Sequence, residues 1–214
     1  MHTEVYNVMK KYAQMMMEQE YSVGTVPKML WETGGKVYGT RDGANFKKLQ
    51  ENDVIELDMK RIPNLDGMSK AIVYSQTPYC QQWLRDGEGF MACLDDMAQI
   101  IGQRVFVVDG TKTPRKVNRL MKKALRYSAG CFVFVGYDKK GVPQGYTVTT
   151  GRNLYEAVVA MTVLEKSAEV AIKAGVLGGA KPINKRIARR MRNFYKLRYS
   201  QAEQEIKSAE GKEV

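Results

Sequence analysis

Polar and aromatic side chains that could contact a ligand follow a short apolar run near the middle of the chain. Residues 71–73 read Ala-Ile-Val, and Tyr74, Ser75 and Gln76 come directly after them, before a Thr-Pro turn. Such a run is typical of a buried strand. Because ligands of open α/β sheets are commonly met where strands end, we expect Tyr74 and Gln76 to face a pocket. The groups offered there would be a phenol and an amide.

The scarcity of histidine limits the chemistry that this chain could perform. Its one histidine is His2, so a Ser-His-Asp or Cys-His mechanism lacks its base and a histidine-rich metal site lacks its ligands. Cys80, Cys93 and Cys131 are far apart and form no CxxC pair, which predicts three reduced and mostly buried thiols. We therefore expect no metal and no cofactor. Any catalysis would use carboxylates, Lys, Tyr, Cys or backbone dipoles.

The positive charge of the protein lies in its second half. The 214 residues carry 34 Lys and Arg against 23 Asp and Glu, a net charge of +11. Residues 1–110 hold 12 basic and 15 acidic residues, whereas residues 111–214 hold 22 and 8. Charged helix faces are common, so a solvated surface or a subunit contact is the ordinary interpretation; the alternatives are a surface for nucleic acid, an acidic partner or an anionic membrane.

Two segments with helical periodicity carry most of this charge. In the first, Thr113 and Pro114 favour a helix start and Gly130 favours its stop. In the second, residues 181–201 contain no acid. If these faces bind RNA or another polyanion, the predicted contacts are Arg115, Arg119, Lys122, Arg126, Arg186, Arg189 and Arg190.

The order of the elements predicts one α/β domain. A Met-rich helix over 5–20 is followed, after Gly34-Gly35, by three β-like pieces at 36–41, 44–49 and 53–59 that resemble a meander. Later segments alternate between strand and helix patterns, among them a predicted helix over 89–103 that stops at Gly102 and a long helix that ends at Gly178-Gly179. This order predicts a mixed sheet with helices on both faces, a three-layer α/β/α sandwich. We expect the domain to cover residues 1–200 and the polar residues 201–214 to fray.

Nothing in the sequence indicates a membrane protein. No run approaches about 18 consecutive apolar residues, and the first residues do not read as a signal peptide. We therefore expect a cytoplasmic protein without a membrane span.

Several sequence segments together resemble the class II aldolase/adducin family. They are "TGGKVYGTRDG" at 33–43, "AIVYSQTPYC" at 71–80, "DDMAQIIGQRVFVVD" at 95–109 and, most specifically, the glycine and long Glu-centred helix of residues 151–179. The resemblance spans about residues 5–199. It implies a mostly antiparallel central sheet and a homo-oligomer, possibly a tetramer.

The resemblance also implies where the family's site would lie and how this chain departs from it. Family enzymes hold zinc with a His-x-His pair and a third histidine, and these positions match Tyr74, Gln76 and Gln144. Phenol and amide groups are poor zinc ligands beside imidazole. The family's acid/base glutamate would lie in the interval 60–70, where Asp66 is the sole carboxylate. The family's phosphate loop matches Gly35, Lys36 and Arg41, which could still hold an anion.

Three hypotheses of different classes follow. The first is a divergent, non-catalytic member, a pseudoenzyme whose oligomeric scaffold serves binding or structure. The second is a metal-independent lyase or isomerase that acts on a phosphorylated or carboxylated sugar-like substrate, with Lys36, Arg41, Tyr74 and Gln76 lining the site. The third is an RNA or polyanion binder that uses the basic C-terminal half. The partners implied are a second copy of the chain, a small anionic ligand, and a nucleic acid or acidic protein.

Overall fold

The computed structural model describes residues 2–19, 28–58, 69–84 and 89–210, with side chains as far as residue 198. One seven-stranded sheet has the order β3-β2-β1-β4-β7-β6-β5. Its strands are β1 Lys28–Thr33, β2 Lys36–Thr40, β3 Val54–Leu57, β4 Ala71–Ser75, β5 Phe106–Asp109, β6 Gly130–Tyr137 and β7 Pro143–Gly151. Only β5 and β6 pair in parallel within this sheet. The predicted mixed, mostly antiparallel sheet is therefore confirmed.

Helices pack on both faces of the sheet, as predicted. They are α1 His2–Glu18, α2 Pro78–Trp83, α3 Pro114–Leu125, α4 Leu154–Val176 and α5 Lys185–Glu210. The apolar stripe of α3 packs on one face, against Ile72 and Val133. The other face carries α1 and α4, which bury Met9 and Met161 against Val73. Because successive strand residues point to opposite faces, Ile72 and Val73 enter different layers of the core. The predicted α/β/α sandwich is confirmed.

The first hairpin differs from the predicted meander. The segment 44–49, predicted as a strand, contains the 3-10 helix Phe46–Lys48, because the Asn45 side chain accepts a hydrogen bond from the Lys47 amide at 3.0 Å. The missing strand is β1, which the sequence analysis did not predict. It joins β2 through Gly34 and Gly35, at φ of 58° and 74°. Two positive φ values in a two-residue turn are typical of a tight hairpin, which glycine allows without steric cost.

The helix predicted over residues 89–103 is shorter than expected. Met91 forms an isolated antiparallel bridge with Arg104, and only residues near Met97–Ile101 are helical, as a π-helical turn. Gly102 ends this turn at φ 124°, as predicted. At the other end of the chain, α5 continues to Glu210, into the segment predicted to fray. Within the described ranges, no helix has the length and apolar character needed to cross a bilayer.

Candidate functional site

Tyr74 and Gln76 lie at the carboxyl end of β4, next to the start of β7. In this register Tyr74 is paired with Val148, and its ring lies 6.0 Å from that of Tyr146 on β7. Residues 74 and 76 alternate with Ser75, so both belong to the sheet face covered by α3. The structure thus brings the two predicted residues together and adds Tyr146, which the sequence analysis missed. A tyrosine in the alternating pattern of "GYTVTTG" was the available signal.

The Tyr74 phenol is held in its neutral form. Burial raises the pKa of Tyr74 to about 12, with smaller contributions from Tyr146 and Cys131. Since the ionised phenolate would have to be desolvated among apolar neighbours, the proton stays on the oxygen at neutral pH. The hydroxyl can then donate a hydrogen bond but is a poor anionic metal ligand.

The two glutamines at the matched positions are engaged with the protein. The Gln76 side-chain amide donates to the Gly145 carbonyl at 2.9 Å, and Gln81 donates to the same oxygen at 3.0 Å. Gln144 donates to the Val142 carbonyl at 3.3 Å and to Asp138 at 3.4 Å. These contacts use the amide nitrogens to hold the β6–β7 hairpin and its junction with β4.

This set of side chains does not fit the zinc ion of the family's enzymes. The donors at the three matched positions are one neutral phenol and two amides, whereas protein zinc is held by imidazole, thiolate and carboxylate. No group of three or more His, Cys, Asp or Glu residues that could hold a metal occurs in the described part of the chain. Asp66 lies outside the described residues. We therefore derive no reaction step through zinc.

Lys36 and Arg41 lie at opposite ends of β2. Lys36 follows the hairpin glycines and donates to Glu56 at 2.8 Å, a hydrogen bond that raises the pKa of Lys36. Arg41 follows the far end of the strand, where its backbone amide donates to the Asp53 carbonyl. Five residues of extended chain separate the two by about 16 Å. The structure does not bring Gly35 and Lys36 together with Arg41, so anion binding at either end stays a prediction.

A buried carboxylate, Glu165, supports the turn that follows the Tyr74 strand. Glu165 projects from the middle of α4 and is only 5% exposed. It accepts hydrogen bonds from the Thr77 hydroxyl at 2.5 Å and from the backbone amides of Tyr79 and Cys80 at 2.7 and 2.9 Å. These amides begin α2, so Glu165 satisfies donors that lack partners within the helix. The sequence feature that could have revealed Glu165 is an acidic residue on an otherwise apolar helix face.

The Cys80 thiol beside this carboxylate is protected from ionisation. Complete burial raises its pKa well above the ordinary value, and the negative charge of Glu165 raises it further. A thiolate is the nucleophilic form of cysteine, so Cys80 is a packing residue here. Cys131 is also buried and Cys93 is half-buried, and all three are free thiols as predicted.

The basic residues predicted to bind a polyanion separate into two groups. Arg126, just past the end of α3, and Arg189 on α5 line one cavity of about 530 Å³. The other predicted residues do not line it; they are Arg115, Arg119, Lys122, Arg186 and Arg190. All of these side chains are exposed.

Comparison with known structures identifies the fold. An L-fuculose-1-phosphate aldolase from Thermus thermophilus is 17% identical, with a TM-score of 0.67 over 85% of this chain and 100% of that one. Another L-fuculose 1-phosphate aldolase is 17% identical, with a TM-score of 0.72 over 90% of this chain and 96% of that one. A sugar-phosphate aldolase from Thermotoga maritima is 16% identical, with a TM-score of 0.60 over 84% and 98%.

These comparisons confirm the resemblance to class II aldolases at the level of the fold. Seven strands in a mixed sheet between helical layers match the aldolase architecture over most of both chains. No protein family's sequence model matches this chain, and no curated protein is significantly similar to it. At 16–17% identity the likeness concerns the fold alone.

Proposed function

We propose that this protein is a non-catalytic module with a class II aldolase-like fold, used for binding or structure. One observation carries the proposal: the three positions that match zinc ligands hold Tyr74, Gln76 and Gln144. The phenol is half-buried and neutral, and both amide nitrogens donate to the protein. A site of this kind supplies neither a Lewis acid nor a charged proton acceptor for cleaving a C–C bond.

The test is a retro-aldol assay on the tag-free protein. Wild-type protein, with and without added Zn²⁺, would be incubated with L-fuculose 1-phosphate and with other ketose 1-phosphates. Release of dihydroxyacetone phosphate would be followed by a coupled enzyme, with the Thermus aldolase as positive control. We expect no release above the zinc-only background. Turnover that Tyr74→Phe abolishes would overturn the proposal and favour an enzyme.

The second hypothesis, a metal-independent enzyme that acts on a sugar-like anion, predicts a different result. Its ligand would contact Tyr74 and Gln76, so binding should stabilise the wild-type protein and not the Tyr74→Phe variant. A rise in melting temperature with any member of a sugar-phosphate and sugar-acid panel, lost in that variant, would support it. We expect no such rise, because the Gln76 and Gln81 amides already share the Gly145 carbonyl.

We also propose that the protein forms a homo-oligomer. The support is a set of large apolar side chains at the end of α4 and on α5 that stay exposed. Val176 and Leu177 are 85% and 88% exposed, and Ile187, Phe194 and Leu197 are each more than half exposed. Monomers seldom leave so much apolar surface in water.

Light scattering coupled to gel filtration tests the oligomer. The wild-type mass should be a multiple of the chain mass, and the double variant Phe194→Glu with Leu197→Glu should have a smaller mass. A monomeric wild type would refute the oligomer, whatever the aldol assay shows.

A further inference from the structure

A cavity of about 530 Å³ lies between α5 and one end of the sheet. Its floor includes Thr150 and Gly151 at the end of β7 and Ala129 at the start of β6. These strand ends are joined by the hydrogen bond from the Thr150 amide to the Ala129 carbonyl, 2.8 Å long. Helix α5 closes the opposite side with Arg189 and Arg192. The volume is that of a small-molecule site.

This cavity is separate from the Tyr74 end of the sheet. Gly151 pairs with Ala71, the first residue of β4, whereas Tyr74 lies at the end of that strand. Three residues of extended chain span about 10 Å, so the cavity opens at the opposite edge of the sheet from Tyr74. Ligand binding in it therefore does not depend on what the Tyr74 end does.

The lining of the cavity is strongly cationic. Among the residues that the structure describes, six basic side chains and one carboxylate, Glu156, line it; the basic residues are Arg104, Arg126, Arg152, Arg189, Arg192 and Lys196. They come from four separate elements, so the charge reflects how the chain folds and not a single basic helix. Among residues with described side chains, no salt bridge reaches Arg104, Arg126 or Arg189. Like charges that converge on a concave surface attract a counter-anion strongly.

Two of the arginines are fixed and make the wall rigid. Arg152 forms a bidentate ion pair with Glu156, at 2.9 Å from Nε and 2.5 Å from Nη2, and both side chains are less than a fifth exposed. Arg192 donates to the Gln99 carbonyl at 2.9 Å and to the Ile100 carbonyl. These carbonyls end the π-helical turn, so Arg192 ties α5 to the body of the domain. The other cations then surround a preformed space.

Aromatic and apolar groups complete the lining. Tyr127, Tyr195, Phe106 and Leu125 also line the cavity. The Arg104 guanidinium lies 5.2 Å from the Phe106 ring, a cation–π contact that restrains the guanidinium. Guanidinium groups bind phosphate with two parallel hydrogen bonds, and tyrosines pack against an organic moiety. The outer basic residues of α3 do not reach this space, so no continuous track for a nucleic-acid backbone forms here.

We propose that this cavity binds a small organic anion that carries two or more phosphate groups. A net lining charge of several positive units matches several phosphate charges, and the volume exceeds that of one phosphate. Arg126, Arg189 and Arg104 contact the phosphates, while Tyr127 and Tyr195 contact the organic part. The proposal adds a binding site to a fold whose Tyr74 end is proposed to be non-catalytic.

The test is calorimetric titration of the wild-type protein at about 150 mM salt with tripolyphosphate, ATP and fructose 1,6-bisphosphate. We expect saturable binding of one molecule per chain for at least one of the two organic ligands, tighter than tripolyphosphate because of the organic part. The double variant Arg126→Gln with Arg189→Gln should bind at least about tenfold more weakly, since each charged hydrogen bond is worth more than 1 kcal/mol.

The matched control is Arg115→Gln with Arg119→Gln, which removes the same charge from the outer face of α3. Its affinity should stay within about twofold of wild type, because that face is outside the cavity and its charge is screened by salt. Equal losses in the two double variants would overturn the proposal in favour of general electrostatics. Absence of saturable binding would also overturn it. Tighter binding of a single-stranded RNA that depends on Arg115 and Arg119 would assign the charge to nucleic acid instead.

Discussion

At the level of single residues, the environment of Tyr74 differs from what a zinc site requires. Zinc would need imidazole nitrogens that point into an open site, whereas the neutral Tyr74 phenol is half-buried beside the Tyr146 ring. Gln76 extends the same face and binds a backbone carbonyl. Each substitution exchanges a potential ligand for a group that stabilises the end of the sheet.

The buried phenol should be visible in the pH dependence of stability. Tyr74 ionises near its ordinary pKa of about 10 when unfolded but only at about 12 when folded. Between these values the unfolded state binds fewer protons, so the phenol's contribution to stability falls as pH rises. From about pH 9 to pH 11, the free energy of unfolding of wild type should fall by about 1 kcal/mol relative to Tyr74→Phe.

Urea unfolding of both proteins at the two pH values measures this difference. Tyr137→Phe serves as the control, since it removes a tyrosine hydroxyl from a side chain that is 69% exposed. An identical pH dependence for wild type and Tyr74→Phe would mean that Tyr74 is solvated, and the pocket would then be open to ligands.

Glu165 should be one of the residues on which stability depends most. In Glu165→Gln, an amide with its own N–H groups replaces a carboxylate that accepts from Thr77, Tyr79 and Cys80. We expect the free energy of unfolding to fall by about 2–3 kcal/mol, measured by urea denaturation. Glu169→Gln, one turn further along α4, weakens an ion pair with Lys173 at the surface and should change the melting temperature little. Equal effects would show that Glu165 does not cap α2.

At the level of elements, the junction between β7 and α4 depends on a close approach of two backbones. A side chain at Gly151 would place its Cβ 2.5 Å from the Ala157 amide nitrogen and 2.8 Å from the Glu156 carbonyl carbon. The strand therefore enters the first turn of α4 with no room for even a methyl group. Gly151, where the two backbones meet, is also part of the floor of the cationic cavity.

Gly151→Ala should destabilise the protein by about 1–3 kcal/mol, because backbone atoms must shift to accept the methyl group. The matched control is Gly175→Ala near the end of α4, where an added Cβ meets nothing within 4 Å. Alanine there should stabilise by about 0.5–1 kcal/mol, because it restricts the unfolded chain and favours the helix. Calorimetric melting of the two variants measures both the expected loss of stability in Gly151→Ala and the expected gain in Gly175→Ala. A neutral Gly151→Ala would refute the close approach.

Sequence patterns predicted long elements better than short ones. Capping residues and apolar periodicity predicted the start of α3 and both ends of α4, because capping and burial act along the local chain. The predicted stop of α3 was wrong, since the helix ends at Leu125 and Gly130 begins β6. The first strand was missed because residues before Gly34 were not recognised as one arm of a tight hairpin. Segment 44–49 was predicted as a strand although its buried Phe46 and Leu49 are spaced three apart, as in a helical turn.

The candidate sites were predictable only in part. Tyr74 and Gln76 follow from strand alternation and from the resemblance, because both depend on local order along the chain. The cationic cavity combines Arg104, Arg126, Arg152 and Arg189 from four elements, and only tertiary packing brings them together. The distance between Lys36 and Arg41 likewise depends on the length of β2, which the predicted meander did not determine.

At the scale of the whole molecule, the two ends of the sheet differ in chemistry. At the Tyr74 end, the Gln76 side chain binds a backbone carbonyl and the Tyr74 ring packs beside Tyr146, whereas the Gly151 end gathers cations under α5. The excess of basic residues in 111–214 is thus partly focused into one concave site and partly spread over exposed helix faces. A class II aldolase-like fold without a zinc site at the Tyr74 end, and with the proposed anion site at the Gly151 end, would account for both features.

The measurement that tests this account most directly is zinc content by mass spectrometry, on tag-free wild-type protein after incubation with Zn²⁺ and dialysis. The account predicts near-zero zinc per chain, because Tyr74, Gln76 and Gln144 offer a neutral phenol and two amides. About one tightly held zinc per chain, lost in a Tyr74→Phe and Gln76→Ala variant that still folds, would contradict it and restore the case for aldolase chemistry.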